Sequence, residues 1–184
     1  MDMLNNMLSA DTIRNAQNDV YKFGVAYVVA QLLSMKQLDK EWAMSTLLTL
    51  VGFVAYHVLT AKLVDSGKLA SGSLKNALDD VLKFGTMLVA SRLLAGGSVT
   101  DMAWLKETAY YLAGFVAYNL ATSQLYDTAQ LSRGVGAAVD DALKFGTAFA
   151  TLRLLNGQPM DREWLMSSGA FIAGLAVWNL VLMK

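Results

Sequence analysis

One pattern, returning three times at a constant interval, constrains this chain more than any other feature. Lys22-Phe23-Gly24, Lys83-Phe84-Gly85 and Lys144-Phe145-Gly146 are its fixed points. Each follows an acidic pair or its relic: Asn18-Asp19, Asp79-Asp80 and Asp140-Asp141. Each precedes Gln31, Arg92 or Arg153 at the head of a Leu-Leu pair. Asp39, Asp101 and Asp161 come next, three residues before Trp42, Trp104 and Trp164, with Gly52, Gly114 and Gly174 ten residues beyond. The copies close on Tyr56-His57, Tyr118-Asn119 and Trp178-Asn179. Repetition at this length marks one supersecondary unit that buries its apolar face against its neighbours. The units run over residues 1–61, 62–122 and 123–184, within a single domain.

Each unit reads as two helices joined by a short turn. Gly96 and Gly97, or Gly157, can end the first helix in a left-handed conformation. Asp39, Asp101 and Asp161 are placed to accept hydrogen bonds from the first free amides of the second helix. The longer polar links, residues 62–78 and 123–139, continue as the amphipathic first turns of the next unit, and the first eighteen residues are their N-terminal counterpart. The expected fold is therefore all-α: three tandem helical hairpins with a pseudo-threefold repeat.

Composition places the hairpins in a membrane. The chain is 55% hydrophobic and only 16% charged, with a mean hydropathy of +0.38, whereas soluble domains are about 25% charged. Trp164–Met183, Thr108–Tyr126 and Trp42–Ala61 contain no acidic or basic residue apart from His57. Twenty helical residues span about 30 Å, the thickness of a bilayer's hydrocarbon core. A buried all-α soluble bundle is the alternative. Six transmembrane helices follow if the first helix of each hairpin also crosses, although only eight uncharged residues separate Lys83 from Arg92. Nine basic residues fall on the side of the termini and six at the hairpin tips, which favours termini on the cytoplasmic or equivalent side.

The candidate residues carry geometry more readily than chemistry. Lys22, Lys83, Lys144, Arg92, Arg153, Trp42, Trp104 and Trp164 are expected as anchors at the membrane interface. The lysines would pair with aspartates three and four residues earlier on their own helix. Gly24, Gly85 and Gly146, with Gly52, Gly114, Gly174, Gly169 and Ala170, are expected to allow close helix approach. A headgroup-binding lysine set and an aromatic ligand cage are the functional alternatives.

His57 is the one histidine and there is no cysteine, so no metal site or disulfide is expected, and an interhelical hydrogen bond is the reading for His57. The acids are expected in links and at helix ends. No nucleophile-base set, phosphate loop or cofactor motif appears. Fifteen acids balance fifteen bases, which argues against a nucleic-acid partner.

Three segments, "MDMLNNMLSADTIRNAQNDVYKFG", "LKFGTMLVASRLL" and "EWAMSTLLTLVGFVAYHVL", resemble small multi-spanning virion membrane proteins of nucleocytoplasmic large DNA viruses. The resemblance implies a protein of the internal, capsid-lining membrane that contacts minor capsid proteins, and it carries no active-site residues. The tripled unit departs from that family. The expected function is a non-enzymatic structural membrane protein without cofactor, packing laterally against lipid, capsid or membrane proteins, or further copies of itself. A pore or carrier, with the pseudo-threefold axis as its pathway and Arg92, Arg153 and Gln31 near one mouth, is the alternative.

Overall fold

A computed structural model describes residues 9–59, 72–122 and 134–182. The described residues form six helices and no strand: α1 (Ala10–Leu33), α2 (Lys40–Leu59), α3 (Gly72–Leu94), α4 (Met102–Thr122), α5 (Gly134–Leu155) and α6 (Arg162–Val177). A π-helical turn, Trp178–Leu182, continues α6. Residues 62–71 and 123–133 of the links expected at 62–78 and 123–139 lie outside the described residues, while 72–78 and 134–139 are first turns of α3 and α5.

The turns within the hairpins have a common chemistry. The side chains of Asp39 and Asp161 accept from the amides of Trp42 and Trp164 at 2.7 and 2.8 Å, and Asp101 accepts from Ala103 at 2.9 Å. These bonds satisfy donors that a helix start leaves open. At the preceding helix ends, Gly97 N–H donates to Arg92 O and Gly96 N–H to Leu93 O, and Gln158 and Gly157 repeat the arrangement on Arg153 and Leu154. Gly96 and Gly157 sit at φ +74° and +65°. In the first unit Met35 holds the same place at φ +53°, a left-handed position that glycine would take without a side-chain penalty.

Each helix packs on its neighbours in sequence, and α6 packs back on α1, so the three hairpins close into a ring. Phe23, Phe84 and Phe145 meet at its centre, edge to face, with ring centroids 5.3–5.8 Å apart. Phe53 stacks on Phe23 at 4.2 Å, and Phe115 on Phe84 at 4.3 Å. Leu175 takes the corresponding place in the third unit, where Phe171 meets Phe145 at 5.4 Å. All three axial rings are buried, and such paired rings add about 0.5–1.5 kcal/mol beyond their area.

Two sets of glycines behave differently. A methyl group on Gly52 would stand 2.6 Å from Met87 O, one on Gly174 2.6 Å from Ala26 Cα, and one on Gly114 would overlap the backbone of Ala148. These three glycines bring α2 onto α3, α4 onto α5, and α6 onto α1, always across the joint between units. Gly24, Gly85 and Gly146 instead face Leu50, Leu112 and Ile172 side chains at 3.5–3.9 Å, an ordinary contact. Gly169 has nothing within 4 Å of such a methyl, whereas Ala170 is buried.

By length and composition, two of the helices are able to cross a membrane: α2, and α6 with its π-turn to Leu182. The helix count thus matches three hairpins, while the count of spanning helices by this measure is two. The odd-numbered helices carry an aspartate and a lysine in mid-length, and α4 carries Lys106 and Glu107 near its start. Gly114→Ala is expected to cost about 1–3 kcal/mol by overpacking, whereas Gly146→Ala is expected to be neutral or stabilising. Thermal unfolding of the two variants, followed by circular dichroism, checks the difference.

Candidate functional site

Asp19, Asp80 and Asp141 precede their lysines by three residues and share a helix face with them. That face turns toward the axis, and the pairing it produces corrects the expected local one. Lys22 Nζ donates to Asp141 at 2.7 Å. Lys83 Nζ lies 3.0 Å from Asp19, and Lys144 Nζ 3.2 Å from Asp80. Each lysine thus reaches the aspartate of the unit before it, and the first unit closes the cycle on the third. The reason is burial: the aspartate side chains are only 7–14% exposed. A carboxylate so withdrawn from water requires close partners, and the neighbouring inward face supplies one.

The second partner comes from the same hairpin. Asn119 Nδ2 donates to Asp80 at 2.7 Å and to Phe115 O at 2.8 Å. Asn179 Nδ2 does the same with Asp141 at 2.6 Å and Leu175 O at 3.0 Å. His57 Nε2 lies 2.7 Å from Asp19, which is the interhelical hydrogen bond expected of it. Every aspartate of the cycle therefore joins the other helix of its own hairpin to the next hairpin.

An outer clasp repeats this logic twice. The hydroxyl of Tyr56 donates to Asp79, and that of Tyr118 to Asp140, again across the joint between units. Lys83 and Lys144 stand 5.5 and 5.7 Å from the centres of these tyrosine rings, within cation–π range. At the third joint the corresponding residues are Trp178 and Asn18, and Trp178 instead meets Tyr21 at 6.5 Å. Both members of the clasp have changed together.

The buried polar groups of the belt are paired with one another. Among the described residues no buried side-chain nitrogen or oxygen lacks a partner, and no group of three potential metal ligands comes together. The expectation that acids lie only in links and at helix ends is corrected by Asp19, Asp80 and Asp141, each well inside a helix. They could have been found in the sequence, because aspartate and lysine are kept in all three copies while the acid before them is not.

The other expected site residues lie at the hairpin tips. Arg92 contacts Asp101 at 3.2 Å, donates to Ser98 O at 3.3 Å and lies over Trp104. Arg153 donates to Gln158 at 2.9 Å, and Gln31 to Gln37 O at 2.6 Å. These bonds staple each turn to the helix before it. Trp42, Trp104 and Trp164 are half-buried at the starts of α2, α4 and α6. The structure does not bring the tip residues together with the lysine belt.

No family model, curated protein or solved structure matches this chain. Removing one partner of a buried pair costs about 3–5 kcal/mol, while replacing both is often nearly neutral. Lys144→Met is accordingly expected to lower stability by that amount. Adding Asp80→Asn, which keeps an acceptor for Asn119, is expected to restore most of it. A double-mutant cycle read by chemical unfolding measures both terms.

Proposed function

We propose that the protein is an integral membrane protein with a structural, non-enzymatic role, its three hairpins crossing the bilayer as a closed six-helix bundle. The observation that carries this reading is the polarity of the bundle. Three lysines and three aspartates are paired around the axis, while large apolar side chains face outward. Leu47 on α2 is 53% exposed and Leu165 on α6 59% exposed, with Val51, Val54, Met166 and Val181 beside them. In water, apolar patches this extensive mark an interaction surface or an aggregation hazard. In lipid they are the favourable outer face, and ionisable groups belong inside, paired with one another.

The phenylalanine cluster supports packing over transport. Three buried rings 5.3–5.8 Å apart fill the axis that a pore would need. Beside them, each axial lysine is already paired with an aspartate of the neighbouring unit. From tryptophan to the closing aromatic each second helix rises about 21 Å, so the bundle suits a thin or locally thinned hydrocarbon layer.

A viral, capsid-lining membrane is the setting proposed from the sequence resemblance alone, with polar tips and links available to capsid or other membrane proteins. Presence of the protein in the membrane fraction of purified virions supports that setting. Its absence from particles removes the setting and leaves the bundle intact.

The chain has no cysteine, so single cysteines report topology without background. Lys36→Cys, Ser98→Cys and Gln158→Cys at the tips are expected to react with an impermeant maleimide from one side of sealed vesicles. Asn15→Cys, Ser73→Cys and Val135→Cys are expected to react from the other. Labelling of both sets from one side overturns the six-span reading.

A further inference from the structure

Two grooves at the hairpin-tip end, formed at different joints, have the same chemistry. The larger, about 770 Å³, lies between the start of α2 and the end of α3, with Trp104 of α4 at its edge. Lys40 and Arg92 bring positive charge, Glu41 a carboxylate, and Ser45 and Ser91 hydroxyls. Its apolar wall is made by Met44, Leu48 and Leu88. The smaller, about 410 Å³, lies between the start of α6 and the end of α1. Arg162, Glu163, Met166 and Ser167 line it at the positions equivalent to Lys40, Glu41, Met44 and Ser45, and Ser34 and Lys36 complete it from the turn that follows α1. At the remaining joint those four positions are Met102, Ala103, Lys106 and Glu107, so the pattern is kept at two joints and lost at one.

The set is neither purely cationic nor purely apolar. In the larger groove Arg92 is already paired with Asp101, while Lys40 and Glu41 make no ion pair among the described residues, leaving one charge of each sign. A phosphate fits the cations, a primary ammonium fits the glutamate and serine oxygens as a charge-assisted donor, and an acyl chain fits the methionine and leucine wall. A purely anionic headgroup would meet a repelling carboxylate in each groove. A quaternary ammonium has no N–H to donate and would need an aromatic cage, whereas Trp104 is the one aromatic residue in the larger groove.

We infer that these grooves hold the headgroup of a phospholipid carrying both a phosphate and a primary ammonium, of the phosphatidylethanolamine class. The inference rests on the membrane reading above and adds a lipid preference to it.

The test uses the full chain with Trp42, Trp164 and Trp178 changed to Phe, leaving Trp104 as the reporter. It is reconstituted in phosphatidylcholine vesicles containing equal fractions of acyl-brominated phosphatidylethanolamine, phosphatidylcholine or phosphatidylglycerol. Quenching of Trp104 is expected to be severalfold stronger with the ethanolamine lipid, and Lys40→Gln and Glu41→Gln are each expected to bring the ratio to one. Native mass spectrometry of the unsubstituted protein is expected to retain the same lipid. Equal quenching by all three lipids, a preference for the glycerol lipid, or selectivity that survives Glu41→Gln overturns the inference while leaving the membrane reading in place. Absence of quenching by any of them overturns the membrane reading itself.

Discussion

Each axial lysine is satisfied by an aspartate from the preceding unit, and the remaining features of the bundle are arranged around that exchange. A hairpin alone that kept the side-chain directions of the bundle would leave an unpaired cation at one edge and an unpaired carboxylate at the other. Three hairpins in a cycle leave neither. Lys22 with Asp141 is the decisive pair, because it joins the first unit to the last and converts a row of repeats into a closed ring. Burial makes the choice of partner consequential, since a misregistered helix leaves charged groups without partners in a low-dielectric interior. The apolar contacts alone would distinguish such alternatives less sharply, as similar rings recur in every unit.

Packing follows the same direction around the cycle. Gly52, Gly114 and Gly174 admit the backbone of the next unit, and the tyrosine clasps point the same way. One residue below the lysines, the phenylalanines interlock edge to face. Close approach, ion pair and ring cluster thus coincide at one level of the bundle and reinforce one another. Symmetry is broken at the joint of α6 with α1, where Trp178 and Asn18 replace the clasp and the helix relaxes into a π-turn. The glycine contact and the lysine pair are nevertheless kept there.

The helices, their turns and the threefold repeat were legible in the sequence because each depends on local chemistry: an aspartate that caps, a glycine that turns left-handed, an apolar run of fixed length. Gly52, Gly114 and Gly174 were legible as packing positions, since small residues in apolar helices have few other uses. The partners of Lys22, Lys83 and Lys144 were not. Spacing of three and four residues is equally compatible with a local pair and with a shared face turned toward another helix, and only the closed ring decides between them. Gly24, Gly85 and Gly146 illustrate the same limit. Their recurrence was visible, but that they face side chains at ordinary distance depends on how far each hairpin opens. The paired change of Tyr–Asp to Trp–Asn is a signal the repeats did contain, and it becomes meaningful once the joint is known.

The belt lies close to the ends of α2, α4 and the α6 π-turn, so in the bilayer proposed for the bundle the charges would sit toward one face, next to the phenylalanine cluster. The direct test of the cyclic exchange is a dipolar-recoupling solid-state NMR measurement between lysine Nζ and aspartate Cγ on the protein in lipid. Short Lys22–Asp141, Lys83–Asp19 and Lys144–Asp80 distances are predicted. Short distances confined within units, from Lys83 to Asp79 or Asp80 and from Lys144 to Asp140 or Asp141, would contradict it.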